Sequence, residues 1–577
     1  MKRLYFVAVV ILGVAFVAAL ATSTGTVAAQ APAASAVSLK GGPKGAVMTE
    51  TRLAVDGIMV QLISEKNSIR TTVYTDESGR YEFPVLEPGE YVLRLARPLE
   101  FKQYTRKGVM LTGANQRLDD IVVQRIGNAS LAPAADFLPP VPELLPQLTG
   151  AEWLSNLQGS EQEKAAVLKA CSIGCHSVDY AFRMTFDDAS WEKFLDRMLN
   201  FGPRLITRPN PHNYIDTKEG AELVINFLKR NMGTSGKLPA IRPFPRPSGP
   251  ATRAVVTEYE LPWTTVNIHD VAGDGQGGIW FTINRSNFIG KLDSKTGKVT
   301  SYRVPQVQPP PNAPKDAEGM AGGEVAKAHP GFQHVWVDKS GIVWFTGTWA
   351  SSVGRLDPKT GDIQQAMTDL MYPEEDMAAT HNLGFSPDGT MYKTGNKKIY
   401  KWDPSSVFKT GKPVQMWPMQ EARSTYGNFV SWDGRYFGGG GQHAVWLDTK
   451  TGEVRERKLQ VGGKGRGSFD PFGNIWIGGD RLAKYDPKTD VLAEYRLPTQ
   501  YANLYSTRAD KNGDVWSGEM QGGRVARFNQ KTHQWIEYVL PTPWSLDFNS
   551  WIDNSTNPPT FWYGDQLGYI VRIQPLE

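Results

Sequence analysis

The spacing of apolar positions divides this chain into stretches of different period. From about Ala46 to Gln124, apolar and polar residues alternate in short runs, the two-residue period of half-buried strands. Residues 57–62, 71–75, 80–83 and 86–93 are the predicted strands. Between them stand Asp76-Glu77-Ser78-Gly79 and Pro88-Gly89, turns in which Pro presets one dihedral and Gly accepts the positive one. Farther along the period becomes helical. Ser160-Glu161-Gln162-Glu163 is a capping box that opens a helix running through Ala170. A second helix is predicted from about Ser190 to Leu199, with Trp191, Phe194, Leu195 and Met198 on one face. A third opens at Asp216-Thr217-Lys218-Glu219 and carries Leu223, Val224, Phe227 and Leu228 at helical spacing.

From Arg253 onward the pattern repeats: a turn of Asp, Gly or Asn, an aromatic strand, then a strand ending near Asp-x-x-Thr-Gly. The aromatic anchors are Trp280, Trp344, Tyr392, Tyr436, Trp476, Trp516 and Trp562, at intervals of 64, 48, 44, 40, 40 and 46 residues. Four short strands per unit, with a period near forty, predict a propeller, because each blade can bury its faces only against its neighbours. Seven anchors predict seven blades. The last unit ends one strand short, at residues 570–573, and residues 256–261 resemble the outer strand at 492–497, so the N-terminal strand is expected to close the ring.

Composition adds compartment and boundaries. Lys2 and Arg3 precede an apolar run to about Leu20 and small residues ending Val27-Ala28-Ala29, which reads as a signal peptide over 1–29. The mature chain is then exported, to the periplasm or the extracellular side of the envelope, with no membrane span unless the signal stays uncleaved. Prolines cluster in 126–150 and again in 236–252, where extended polyproline geometry is expected to hold domains apart. A net charge of +4 without a basic cluster gives no case for nucleic acid. The expected class is mainly β: a β-sandwich over 40–125, a small helical domain over 151–235 and a seven-bladed β-propeller over 253–577.

The only two cysteines stand in Cys171-Ser172-Ile173-Gly174-Cys175-His176. Two thiols followed at once by an imidazole are the attachment pattern of c-type haem, with His176 as an axial ligand, although three residues separate the thiols instead of two. A disulfide, a free thiol pair and a metal site short of ligands are the other readings. The segment resembles the small cytochrome c domains found beside quinohaemoprotein dehydrogenases. That resemblance implies Met198, from Arg197-Met198, as sixth ligand, ahead of Met184 and His212.

Two further resemblances rest on quoted motifs. Thr75-Asp76 through Gly79, Tyr81 and Phe83, followed by Leu86, Pro88-Gly89 and Tyr91, resembles the carboxypeptidase regulatory-like domain, which implies an accessory, non-catalytic sandwich. Gly278-Ile279-Trp280-Phe281-Thr282, Ile289 to Asp293 and Thr296 to Tyr302 resemble the streptogramin B lyase propellers. This implies a magnesium-assisted elimination with a His base and Glu ligands.

Positions predicted to face the channel mouth are His269, His334, His381, Tyr426, Arg466, Tyr505 and Trp551 before the anchors, with Glu519 and Asp565 among those after them. Of the implied metal ligands only Glu519 matches, with Asp565 as neighbour for Mg2+. His269 and His381 are candidate bases, and Tyr505 stands where a basic His is wanted. The leading expectation is a haem c electron-transfer protein whose propeller binds a small-molecule ligand or a redox partner protein. A metal-dependent lyase and a disulfide-bearing binding scaffold are the alternatives.

Overall fold

Strands dominate the computed structural model, which describes residues 39, 41–126, 137–171, 177–199, 218–263, 267–284, 286–305, 331–347, 352–367, 382–460 and 465–576. The predicted signal peptide at 1–29 lies outside these residues, as do residues 306–330.

From residue 254 to 575 the strands form seven successive antiparallel sheets. Their innermost strands begin with Asn267–Gly273, Phe332–Val337, Gly384–Phe385, Gly427–Val430 and Gly467–Phe469. The sixth is broken into Asn503–Leu504 and Arg508–Ala509, and the seventh is Asp547–Asp553. Each sheet packs on the next, and the seventh returns to the first, where Trp562 and Ile570 share a core with Ile268 and Val271. The arrangement is propeller-like.

One carboxylate explains why Asp, Gly and an aromatic residue recur together. Asp338, Asp470 and Asp510 each accept two turn N–H groups on Oδ1, while Oδ2 accepts the anchor indole of Trp344, Trp476 or Trp516 at 2.9 Å. The turn then needs a positive φ one residue before its end, and Gly341, Gly473 and Gly513 supply it at 86°, 90° and 88°. A buried Trp–Ala change costs about 3–5 kcal/mol, so a residue that orients the indole matters to the whole sheet. Six of the seven anchors are buried and Tyr436 is half-buried.

The predicted closing strand is found. Ala254–Glu260 pairs antiparallel with Tyr569–Pro575, from Tyr569↔Glu260 to Pro575↔Ala254. Its other edge is paired as well, with Arg70–Tyr74 of the N-terminal region through Arg70↔Glu258, Thr71↔Thr257 and Thr72↔Val256. The seventh sheet therefore continues without a break through Met59–Ser64 and Gly89–Leu95 to the edge strand Thr105–Leu111, eight strands in all. A smaller sheet of Lys44–Thr49, Arg80–Glu82 and Ile121–Val123 shares one core with it, around Val47, Val60, Phe83, Leu93 and Ile121.

Helices occur at Gly150–Asn156, Glu161–Cys171, Asp179–Phe182, Asp188–Leu199 and Lys218–Met232. The Ser160 capping box is formed: Glu163 N–H donates to Ser160 Oγ at 3.2 Å, and Ser160 N–H donates to Glu163 Oε2 at 2.8 Å. The box proposed at Asp216 lies outside the described residues. Trp153, Phe182, Trp191, Phe227 and Leu228 form the helical core.

The proline-rich connectors do not hold the parts apart. Leu138, Leu144, Leu148 and Ile241 are buried in that same core, and Leu138 and Ile241 exchange backbone hydrogen bonds at 2.7 and 2.8 Å. Apolar residues between the prolines give the connectors a face to bury, which outweighs the stiffness of the prolines. A buried ion pair, Arg97 with Glu152, ties the N-terminal sheets to the helices.

Because Ala254–Glu260 is bonded on both edges, a proline there removes a ladder hydrogen bond with no edge to hide on. Thr257→Pro is expected to lower unfolding free energy by about 3 kcal/mol or more. Denaturant titration is expected to show loss of the N-terminal sheets and the seven-sheet body together. Separate transitions would mean the shared strand does not couple them.

Candidate functional site

Three neighbouring sheets carry the same irregularity in their innermost pair. Between Phe281↔Val271 and Ile283↔Ile268 two residues, His269 and Asp270, oppose the single residue Thr282. Gln333 and His334 likewise oppose Thr346, and Phe548 and Asn549 oppose Gly564. Such bulges re-aim side chains. Here the extra N–H is caught by a threonine: Asp270 N–H donates to Thr282 Oγ1 and His334 N–H to Thr346 Oγ1, both at 3.1 Å.

The bulged residues converge on one carboxylate. Asp270 Oδ1 accepts from His269 Nδ1 at 2.7 Å and Arg466 Nη1 at 2.9 Å, and Oδ2 accepts from His334 Nδ1 at 2.6 Å, Asn549 Nδ2 at 2.6 Å and Arg466 Nη1 at 3.1 Å. An ionised carboxylate only accepts, so both imidazoles carry their proton on Nδ1. His269 stacks on Phe548 at 4.9 Å and His334 on Phe385 at 5.6 Å. Arg466 comes from the fifth sheet, across the axis. Its backbone is fixed by the broken strand of the sixth, since Arg466 N–H donates to Tyr505 O and Thr507 N–H donates to Arg466 O.

All of these groups are buried. Burial opposes the charge of Asp270, but Arg466 and the two histidines outweigh it and hold its carboxyl well below the usual range. Burial lowers both histidines below their ordinary value against the pull of Asp270, so the rings are neutral. Burial and the nearby Arg466 bring Arg508 down to about 10. The cluster is thus an Arg–Asp ion pair flanked by neutral imidazoles, an arrangement that fixes side-chain orientation and binds polar groups.

The other proposed site residues fall as follows. Tyr505 meets the axis, its hydroxyl against that of Tyr426 and its ring 5.5 Å from the Arg466 guanidinium. Burial raises its pKa, so it is a neutral phenol and not the base looked for at that position. Trp551 is no mouth residue: the longer turn 554–559 sets it opposite Trp562, where it covers Gly273, while Phe548 and Asn549 take the axis. His381 lies outside the described residues, as do Cys175, His176 and His212 and the side chains of Cys171 and Met198.

Glu519 and Asp565 are both buried but have no partner in common. Burial and Glu537 push Glu519 well above the carboxylate range, against Arg524. Asp565 accepts from Ser545 Oγ, and burial raises it to about 7. Among the described residues no group of three or more His, Cys, Asp or Glu side chains is placed to hold a metal ion. Asp547, which the sequence reading passed over, faces Asp565 across the ladder and accepts from Gly518 N–H at 3.1 Å. Burial raises it to about 7, with Asp270 and Asp565 adding to the effect and Arg508 opposing it.

Comparison with known proteins adds the following. Residues 44–124 match the carboxypeptidase regulatory-like domain family. This regulatory-like domain is the part whose sheet joins the closing strand. A serine-aspartate repeat-containing protein F of Staphylococcus epidermidis is 31% identical over 77 residues, 13% of this chain and 4% of the relative, so the chain spans a small part of that protein. Among solved structures, a streptogramin B lyase superposes with TM-score 0.45 at 17% identity, over 57% of this chain and 100% of that one. A virginiamycin B lyase from Staphylococcus aureus superposes with TM-score 0.44 at 15% identity, over 56% and 99%.

Two variants test the electrostatics. Asp270→Asn leaves Arg466 buried without its counter-charge and is expected to cost about 3–5 kcal/mol in denaturant unfolding. A loss below about 1 kcal/mol would show that the axis is hydrated and the pair exposed. Asp547 binds a proton more tightly folded than unfolded, so its burden on stability is absent below pH 4, grows as pH rises to about 7 and is constant above. Asp547→Asn, which retains an acceptor for Gly518, is expected to gain stability over the natural protein across that window. A pH-independent difference would place the Asp547 pKa at its ordinary value.

Proposed function

We propose that this protein is an exported electron-transfer protein: a closed seven-bladed propeller that binds a small ligand or redox partner at its axis, with a haem c carried by the helical segment on the same face. The observation that carries the reading is a packed path. Ser177 and Val178 directly follow the Cys171 to His176 motif, and both bond Gln521 Oε1, Ser177 through Oγ at 2.8 Å and Val178 through its N–H at 2.9 Å. Gln521 O in turn accepts from Ala151 N–H at 2.9 Å. Next to Gln521, Met520 packs with Tyr505, Leu546 and Phe548, and Phe548 stacks on His269.

What surrounds the motif suits a flat apolar cofactor. The helix Glu161–Cys171 delivers the first cysteine at its end, and half-buried Leu168, Phe194, Ala221 and Ile225 edge the helical core. Cys171 and Cys175 would hold the porphyrin as thioethers, with His176 and Met198 as axial ligands. A bound haem supplies one-electron chemistry. The chain's own part is to fix the motif against Gln521 and to hold a neutral, hydrogen-bonding surface at the axis.

Expression of the full chain in a host with haem-attachment machinery tests this. A reduced pyridine haemochrome that survives acid-acetone extraction is expected, and its spectrum is expected to change in Met198→Ala. Colourless protein from that host would end the haem reading.

A further inference from the structure

The first turn of each sheet, between its innermost and second strands, is held by backbone bonds and by Asp or Ser side chains, so the turn gives no task to an aromatic ring at its tip. In the first, second, third and sixth sheets the tip residues are Gly, Gln, Lys, Ser, Pro, Asp or Asn, and the longer turn of the seventh, 554–559, carries no aromatic residue. The fourth and fifth sheets instead carry Trp432 and Phe472, 46% and 52% exposed. Presenting rings of this size to water costs about 25 cal/mol per Å2 of apolar surface, with no return from the turn itself.

The two rings flank a groove of about 390 Å3 whose walls include Tyr436, Trp446, Arg455 and Lys488. Tyr436 and Trp446 stack at 5.3 Å and form an aromatic floor, with the Arg455 guanidinium 5.5 Å from the Trp446 ring. Arg455 is neutralised by Glu453 at 2.7 Å. Lys488 is exposed and donates to Phe472 O at 3.3 Å, and although its charge helps to lower the nearby Asp486 carboxyl the two form no direct ion pair. Asp433 spends Oδ1 on Ser431 Oγ and Arg435 N–H inside the turn. All of these residues are described, and the turns lie at the end of the sheets opposite Gln521, so the groove is separate from the axis.

We propose that this groove binds a saccharide bearing a carboxylate. The C–H face of a pyranose stacks on Trp432 and Phe472, its hydroxyls meet Asp433, and its carboxylate answers the exposed Lys488 ammonium. A planar aromatic acid fits less well, because such ligands seek enclosed apolar pockets and this groove opens to solvent between two turns.

The test uses the full chain, with digalacturonate, cellobiose and benzoate as probes followed by tryptophan fluorescence and calorimetry. Saturable binding of digalacturonate is expected, weakened about tenfold in Trp432→Ala and in Phe472→Ala. Lys488→Ala is expected to erase the preference for digalacturonate over cellobiose. All three side chains are exposed turn residues, so unchanged melting curves separate lost binding from lost fold. No saturation up to about 10 mM, equal affinity in Trp432→Ala, or benzoate binding as tightly as digalacturonate would overturn the proposal.

Discussion

A single strand, Ala254–Glu260, carries the architecture, because both of its edges are used. On one side it completes the seventh sheet, and on the other it joins the regulatory-like domain, so two bodies share one hydrogen-bond ladder. An unpaired edge would expose a row of N–H and C=O groups to other chains, and here neither edge is left open. The junction also buries Glu258, which accepts from Gln61 Nε2 at 3.0 Å and Thr542 Oγ1 at 2.7 Å. Burial raises its pKa despite those bonds and the nearby arginines. The regulatory-like domain is thus a structural part of the seventh sheet.

The axis is organised by the same economy of buried charge. One carboxylate, Asp270, satisfies groups from four sheets, and Arg466 is its direct counter-ion. Two neutral histidines lend hydrogen bonds without adding charge. The carboxylates that lack such a partner, Asp547, Asp565 and Glu519, are pushed toward their neutral forms. Charge inside this protein is kept where it has an immediate counter-ion, as the cost of burying an isolated ion requires.

The sequence was most legible where one residue type does one job. Anchors such as Trp344 and Trp476 recur because an Asp-led turn needs their indole, and the closing strand was readable because the seventh unit lacked its fourth. Register was harder. The offset of eleven residues found His269 but put Trp551 at the axis, because the longer turn 554–559 sets Trp562 opposite Trp551, eleven residues before it, where Trp280 pairs with Ala272, eight before it. Asp270 was missed although it adjoins His269, since an alternating strand predicts neighbours on opposite faces and only a bulge brings both inward. Prolines in 126–150 and 236–252 read as spacers because the apolar residues between them show a role only once Leu138 meets Ile241.

The double pairing of Ala254–Glu260 also sets an order of events during synthesis. Its partner in the seventh sheet is separated from it by 315 residues at Thr257 and Arg572, and so leaves the ribosome after the first six sheets. Domains fold in sequence as the chain emerges, so the regulatory-like domain is complete long before that. Arg70–Tyr74 then offers a finished template on which the closing strand docks at once, sheltered while six sheets are made. The N-terminal domain thereby covers one edge of the strand whose other partner lies farthest along the chain.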